Sequence, residues 1–321
     1  MPCPRPQKYT TGLLVLLLLA SGCKQGAETA DSAGGTDGGT SPSADATAPP
    51  RPLTEDFKSY WYAGEAEISS YSLSQARYGE LREGDAALVY VTEPFNPGKQ
   101  VKADRPDSTS VSVLKLNRTR KFLTGIYPYS IMSSIFYPVS DNRHALKIST
   151  SVQEWCGHVY AQLNNREDFE ITAHSYFESE GEQELHLPKN VLEDELWTRL
   201  RIAPETLPQG NHDVVPSMEF LRLRHQPFQA YPATLTLSEP AKVRTYTITY
   251  PGLNRTLQIH FDGDFPHTIQ GWTDSYPSGF GADAQVLTTT AQLKNTLKTP
   301  YWRQNSNSDL HLRDSLGLSK R

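Results

Sequence analysis

The sequence predicts a mainly β protein: one large antiparallel sheet, strongly twisted, that curls into a half-barrel or a sandwich and carries one amphipathic helix near residues 191–202. Three observations predict it. Apolar and polar residues alternate along many short runs. Those runs are parted by brief turn signals rather than by helical stretches. No regular succession of strand and helix appears, which argues against a doubly wound parallel sheet.

The strands are legible one by one. "VSVLKLNRTRKFLTG" and "HALKISTSV" alternate with period two, as half-buried strands do. "RTYTITYPGLNRTLQIHF" reads as a hairpin. With its turn at Pro251–Asn254, Ile248 faces Leu257 and Tyr246 faces Ile259 on an apolar side, while Thr247 and Thr249 meet Gln258 and Thr256 on a polar one. In "KNVLEDELWTRLRIAPE", Asn190 is placed to cap a helix, Glu193 follows three residues on, acids fill the first turn, and Arg199 and Arg201 the last. Leu192, Leu196 and Leu200 form its apolar stripe, which expects the sheet as partner. Trp61, Trp155, Trp272 and Trp302 are expected in the core, and Gln209 to Val215 offers a break between two halves of the sheet.

The N-terminus has a different character. Arg5 and Lys8 precede the apolar run "GLLVLLLLA", too short to span a bilayer, and small residues follow. "LLASGC" resembles the lipobox of bacterial lipoproteins. The resemblance implies that residues 1–22 are a signal peptide, that Cys23 is acylated after cleavage, and that the chain is lipid-anchored in the cell envelope. Lys24, rather than Asp, after the cysteine favours the outer membrane. Residues 23–52 are mostly Gly, Ser, Thr, Ala, Asp and Pro with no large apolar side chain, a composition that cannot bury enough surface to order itself. They read as a flexible tether, and residues 53–321 as a single β-rich domain.

Cysteine and charge narrow the function. Cys3 leaves with the signal peptide and Cys23 takes lipid, so Cys156 remains alone and no internal disulfide is expected. Loss of Arg5 and Lys8 moves the formal charge from −5 to about −7. No basic cluster exists, so nucleic acid is not an expected partner. Gly-rich phosphate loops, G-x-S-x-G and H-E-x-x-H are all absent. "FDGDFPH", with Asp262 and Asp264, lacks most ligand positions of a calcium loop and reads as a hairpin turn. The aromatic stretch with Tyr127, Tyr129, Phe136 and Tyr137 reads mainly as strand packing, with a groove for an apolar ligand as its functional alternative.

One cluster could carry chemistry. Read as a single strand, "EWCGHVYAQLN" puts Trp155, Gly157, Val159, Ala161 and Leu163 on the core face, and Glu154, Cys156, His158 and Tyr160 on the other. If Leu163 pairs with Phe169 of "FEITAHSYFE", then His158 lies opposite His174, Cys156 opposite Tyr176, and Glu154 opposite Glu178. Only registers differing by two residues keep the apolar faces together. This arrangement permits a zinc site of Cys156, His158, His174 and Glu154, or a catalytic Cys156 thiol activated by His158. The residue types follow no recognised metal spacing, so the plainer reading is a small side chain packed under Tyr176.

"DFKSYWYAGEAEISSYSLSQARYGELREG", "TGIYPYSIMSSIFYPV", "STSVQEWCGHVYAQLNNR" and "YWRQNSNSDL" together resemble a family of uncharacterised bacterial lipoproteins often labelled "septum formation inhibitor Maf". The resemblance spans nearly all of residues 56–318. True Maf proteins are cytoplasmic nucleotide pyrophosphatases of α/β fold with an S-x-S-P-R-R loop. That loop is absent here, and no catalytic residue carries over. The expectation is therefore a membrane-tethered periplasmic protein, non-enzymatic, binding an apolar ligand or an envelope component. A metal- or thiol-dependent envelope hydrolase is the alternative, and a nucleotide pyrophosphatase the third.

Overall fold

The computed structural model describes residues 51–141 and 143–318; the expected signal peptide, Cys23 and the expected tether up to residue 50 lie outside the described residues. Helix α1 (Glu55–Trp61) begins where the Thr54 hydroxyl accepts from the Phe57 amide, 3.1 Å away. There follow β1 (Ala66–Arg77), β2 (Glu80–Asn96), β3 (Val101–Lys102), β4 (Val111–Thr124), β5 (Tyr127–Pro138), β6 (Lys147–Glu154), β7 (Gly157–Asn165), β8 (Phe169–Ser175) and β9 (Glu182–Leu187). The second half holds β10 (Val191–Leu192), α2 (Glu193–Ile202), β11 (Gly210–Val215), α3 (Met218–Arg224), β12 (Tyr231–Leu237), β13 (Val243–Tyr250), β14 (Arg255–Asp262), β15 (Ile269–Ser278), β16 (Gln285–Thr299) and α4 (His311–Ser315). The protein is mainly β, and all strands among the described residues belong to one sheet.

The sheet runs β10-β11-β12-β13-β14-β15-β16-β1-β2-β4-β5-β6-β7-β8-β9, with β3 hanging on β2. Every pair is antiparallel except β10 with β11. Laid flat, fourteen spacings of ~4.8 Å would hold the two edges about 67 Å apart. Yet β9 and β10, the two edges, are joined by residues 188–190 alone, a link that spans at most about 14 Å. The sheet therefore has to curl until its edges nearly meet, without pairing them. The result is an open, split barrel, as the sequence predicts.

What the sheet curls around is α2. Nine of its ten residues are buried, among them Glu193, Asp194, Glu195 and Arg201. A helix lying on one sheet face would leave a polar stripe in water. Instead α2 meets strands from several directions: Arg201 forks onto Glu67 of β1 with both contacts at 2.7 Å, Arg118 of β4 reaches Asp194 at 2.7 Å, and Arg255 of β14 reaches Glu193 at 2.7 Å. Tyr90 of β2 donates to the Trp197 carbonyl, and the Trp197 and Trp272 rings meet edge to face at 5.3 Å. The apolar core is continuous around this axis, from Leu88, Leu116 and Ile135 to Ile248, Leu257 and Ile259.

Several expectations are met and several corrected. The β13–β14 hairpin has the predicted register at all four pairs named above. Asn190 does not cap α2; Val191 and Leu192 are drawn into a strand with Val214 and Val215, and the helix starts at Glu193 without a side-chain cap. The helix is enclosed rather than one-sided, and α1, α3 and α4 are three further short helices. Gln209 to Val215 is no break, because residues 210–215 form β11. Trp61 and Trp272 are core residues, but Trp155 and Trp302 are exposed. Trp155 sits in a turn, and Trp302 follows the last strand.

Candidate functional site

The predicted cluster is taken apart by two local facts. Residues 154–164 are not one strand: β6 ends at Glu154, Trp155 and Cys156 make the turn, and β7 starts at Gly157. The Glu154 carboxylate accepts from the Cys156 amide at 2.7 Å, which closes that turn. Moreover, β7 and β8 pair two residues away from the expected register. Asn165 pairs with Phe169 and Leu163 with Ile171, so that Tyr160, not His158, stands opposite His174. The ladder runs on through Asn164 and Asn165 before Arg166–Asp168 turn the chain, adding backbone pairs that the longer loop would forgo.

Apart from Glu154 and Cys156, which share that turn, the candidates have separate settings. Cys156 is exposed at a hairpin tip. His158 stands opposite Gln153 on the outer face. His174 lies 2.7 Å from Glu182 Oε2 through Nδ1. The Tyr176 ring packs over Gly157, where a Cβ would come within 2.4 Å of it. Among the described residues no three His, Cys, Asp or Glu side chains are grouped to hold a metal ion. Cys23 lies outside the described residues.

The corrected register exposes a different site. On the inner face, Ala161 is paired directly with Ala173, and Thr150 flanks Ala161 on β6. The neighbouring row, Ile148, Leu163, Ile171 and Leu185, is bulky. Small residues in one row beside large ones in the next leave a hollow in the inner wall. Helix α3 and residues 225–228 roof that hollow, enclosing a cleft of about 290 Å³. Its floor is Val152, Val159, Ala161 and Ala173, and Leu221 and Phe228 close it from above.

The roof is held firmly. Ser217 caps α3 by accepting from the Phe220 amide, and Asp194 accepts from the Met218 amide at 3.0 Å. Glu219, on the first turn, lies 3.0 Å from Arg120 and 3.7 Å from Arg118. His225 ends the helix in the left-handed region, φ 51°. The acids of α2 and α3 and the arginines of β4 thus fix the distance from roof to floor.

At the mouth a polar clamp faces the apolar floor. Glu180 Oε1 is shared by Arg222 Nη1 at 3.0 Å and His225 Nδ1 at 2.5 Å, while Ser175 donates to Oε2 at 2.6 Å. Burial raises the Glu180 pKa, but the hydrogen bonds of His225 and Ser175 and the Arg222 charge outweigh it and hold the carboxyl below its usual range. The Arg222 guanidinium also lies over the Phe177 ring at 4.5 Å.

A second, larger and more open depression, about 670 Å³, lies on the outer face beside Val89 and Leu297. Its far wall is the largely exposed segment 301–318. Its lining mixes charged side chains, Asp85, Lys121, Asp309 and Arg313, with the apolar ones. Tyr129 and Tyr137 of the aromatic stretch are buried core residues, Phe136 packs on Phe95 across the outer side, and Tyr127 stands beside Trp155. No helix among the described residues is long and apolar enough to cross a membrane.

Comparison of the chain with protein-family models, with curated proteins and with solved structures finds no match to any.

Proposed function

We propose that this is a lipid-anchored protein of the bacterial cell envelope, most simply the outer membrane, that binds a small, largely apolar ligand in the cleft between β6–β9 and α3. The observation that carries the reading is the Ala161–Ala173 pair under a fixed roof, with Glu180, Arg222 and His225 at the mouth. Ligand sites have this composition, a concave apolar floor and a few placed polar groups. At about 290 Å³ the cleft is small for such a site, so the ligand is a hydrocarbon chain or a single ring system with one polar end. The signal peptide and lipobox resemblance support the envelope location, and no catalytic constellation supports an enzyme. Zinc at Cys156, His158, His174 and Glu154 has no geometric support.

The test is binding of undecanoic acid to the purified protein, read by isothermal titration calorimetry. Saturable binding should be lost in Ala161→Leu, which fills the cleft, and kept in Ala87→Leu, which narrows the outer depression. Loss in Ala87→Leu alone would move the ligand to the outer face; no saturable binding would end the reading.

A further inference from the structure

Among the described residues, the four most exposed large apolar side chains are Ile126, Phe280, Trp155 and Tyr176, at 82, 70, 68 and 66 %. All four sit in turns, those of β4–β5, β15–β16, β6–β7 and β8–β9. In an antiparallel sheet with this strand order, these turns and that of β1–β2 fall at the same strand ends. They also touch. The Phe280 ring stacks on Tyr78 at 5.5 Å, the Tyr78 and Tyr129 hydroxyls are 2.8 Å apart, Tyr127 and Trp155 rings lie 6.3 Å apart, and Tyr176 covers Gly157. The exposed apolar side chains thus form one aromatic band across five hairpin tips, with the β8–β9 turn and Glu180 tying it to the mouth of the cleft.

We infer that this band is a membrane-docking surface, and that it seats the hairpin tips in the interfacial layer of a bilayer with net-neutral headgroups. Tryptophan, tyrosine and phenylalanine beside isoleucine are the side chains that settle at that depth. The charges point the same way: the tips carry exposed Glu178 and Asp283, with Glu80 paired to Arg82, and among the described residues there they hold no basic cluster of the kind anionic lipid attracts. Chain length permits it. The described chain starts at Arg51, whose amide donates to Ser140 in the β5–β6 connection, at the opposite strand ends. On the lipid-anchored reading proposed above, 27 residues separate Cys23 from Arg51, and the 28 steps between them reach about 98 Å when extended, more than the ~56 Å of a 17-residue strand. The tether can therefore let the far end turn onto the membrane that holds it.

The test uses the full-length chain on phosphatidylcholine vesicles with brominated acyl chains, reading tryptophan quenching rather than co-sedimentation, since an N-terminal lipid would itself retain the protein. Trp155 and Trp302 are the exposed indoles, one on the band and one beyond β16. Quenching should be strong in the wild type and in Trp302→Phe, and mostly lost in Trp155→Phe. It should fall at least fivefold in Ile126→Ser/Tyr176→Ser/Phe280→Ser, which alters only exposed tips. Replacing part of the lipid by phosphatidylglycerol should not increase it. The cleft-filled Ala161→Leu protein should dock as the wild type does, so failure of the ligand reading leaves this result untouched. Quenching carried by Trp302, absent from both, or unchanged in the triple variant overturns the inference; absence from both together with self-association lost in the triple variant would make the band a protein contact.

Discussion

At the residue scale, the fold rests on charged groups that lie where side chains of that kind seldom do. Arg201 and Glu67 are both buried, and each satisfies the other through a forked pair. Removing one partner leaves a bare buried charge, so Glu67→Leu should cost about 3–5 kcal/mol, read as a lower urea midpoint at unchanged slope. Glu67→Leu/Arg201→Met should recover much of that loss. The pH dependence follows in sign. Burial raises the Glu67 pKa, but the Arg201 charge and the hydrogen bonds of Arg201, Tyr60 and Ser69 outweigh it and hold the carboxyl below its ordinary 4.5. A lowered folded value gives stability that is complete above 4.5 and lost as pH falls through the lowered value. Asp194 and Asp274 have the opposite sign, because burial outweighs their arginine partners and raises both. Acid denaturation monitored by circular dichroism should therefore be less steep below pH 4.5 in the Glu67→Leu/Arg201→Met protein than in the wild type. None of this was legible in the sequence: Glu193, Asp194 and Glu195 look like ordinary first-turn acids, and only the opposing strand arginines reveal that they face inward.

At the scale of elements, the hairpin of β13 and β14 was fully readable because its turn is short and each slip of one residue would reverse its faces. The β7–β8 hairpin shows the limit of that argument. Parity is fixed by the apolar face, but a shift of two residues preserves parity, and the sequence cannot choose between the two. That choice decides the site, since one register sets Ala161 against Ile171 and the other against Ala173. In a Cys156→Ser background, Tyr160→Cys/His174→Cys should oxidise to a disulfide and His158→Cys/His174→Cys should not, as read by gel shift under mild oxidant; directly opposed Cβ atoms are near bridging range and diagonal ones are not. A second prediction belongs here. Because Ala161→Leu adds apolar volume to an existing hollow, it should unfold at the same temperature as the wild type or higher, which separates its binding defect from misfolding. Helix α2 shows a third limit: its start is set by a parallel contact with β11, a long-range pairing that local capping signals cannot anticipate.

For the whole molecule, the half-barrel was predictable from alternation, but what closes it and what fills it were not. The three-residue link between the two edges forces the curl, and it is visible only once β9 and β10 are known to be the edges. Exposed Glu182 and Glu184 on β9 discourage pairing with another chain, as edge strands require. Amide exchange should rank the strands accordingly, slowest in the central β1, β2 and β4 and fastest in β9 and β10. The split lies near the cleft that gives the molecule its proposed role, and that role is open to one direct measurement. Native mass spectrometry of the protein purified from its own cells in mild detergent, beside Ala161→Leu, reads the cleft's contents. The account predicts a small apolar adduct on the wild type that is missing from the variant. An adduct carried equally by both, or by neither, would contradict it.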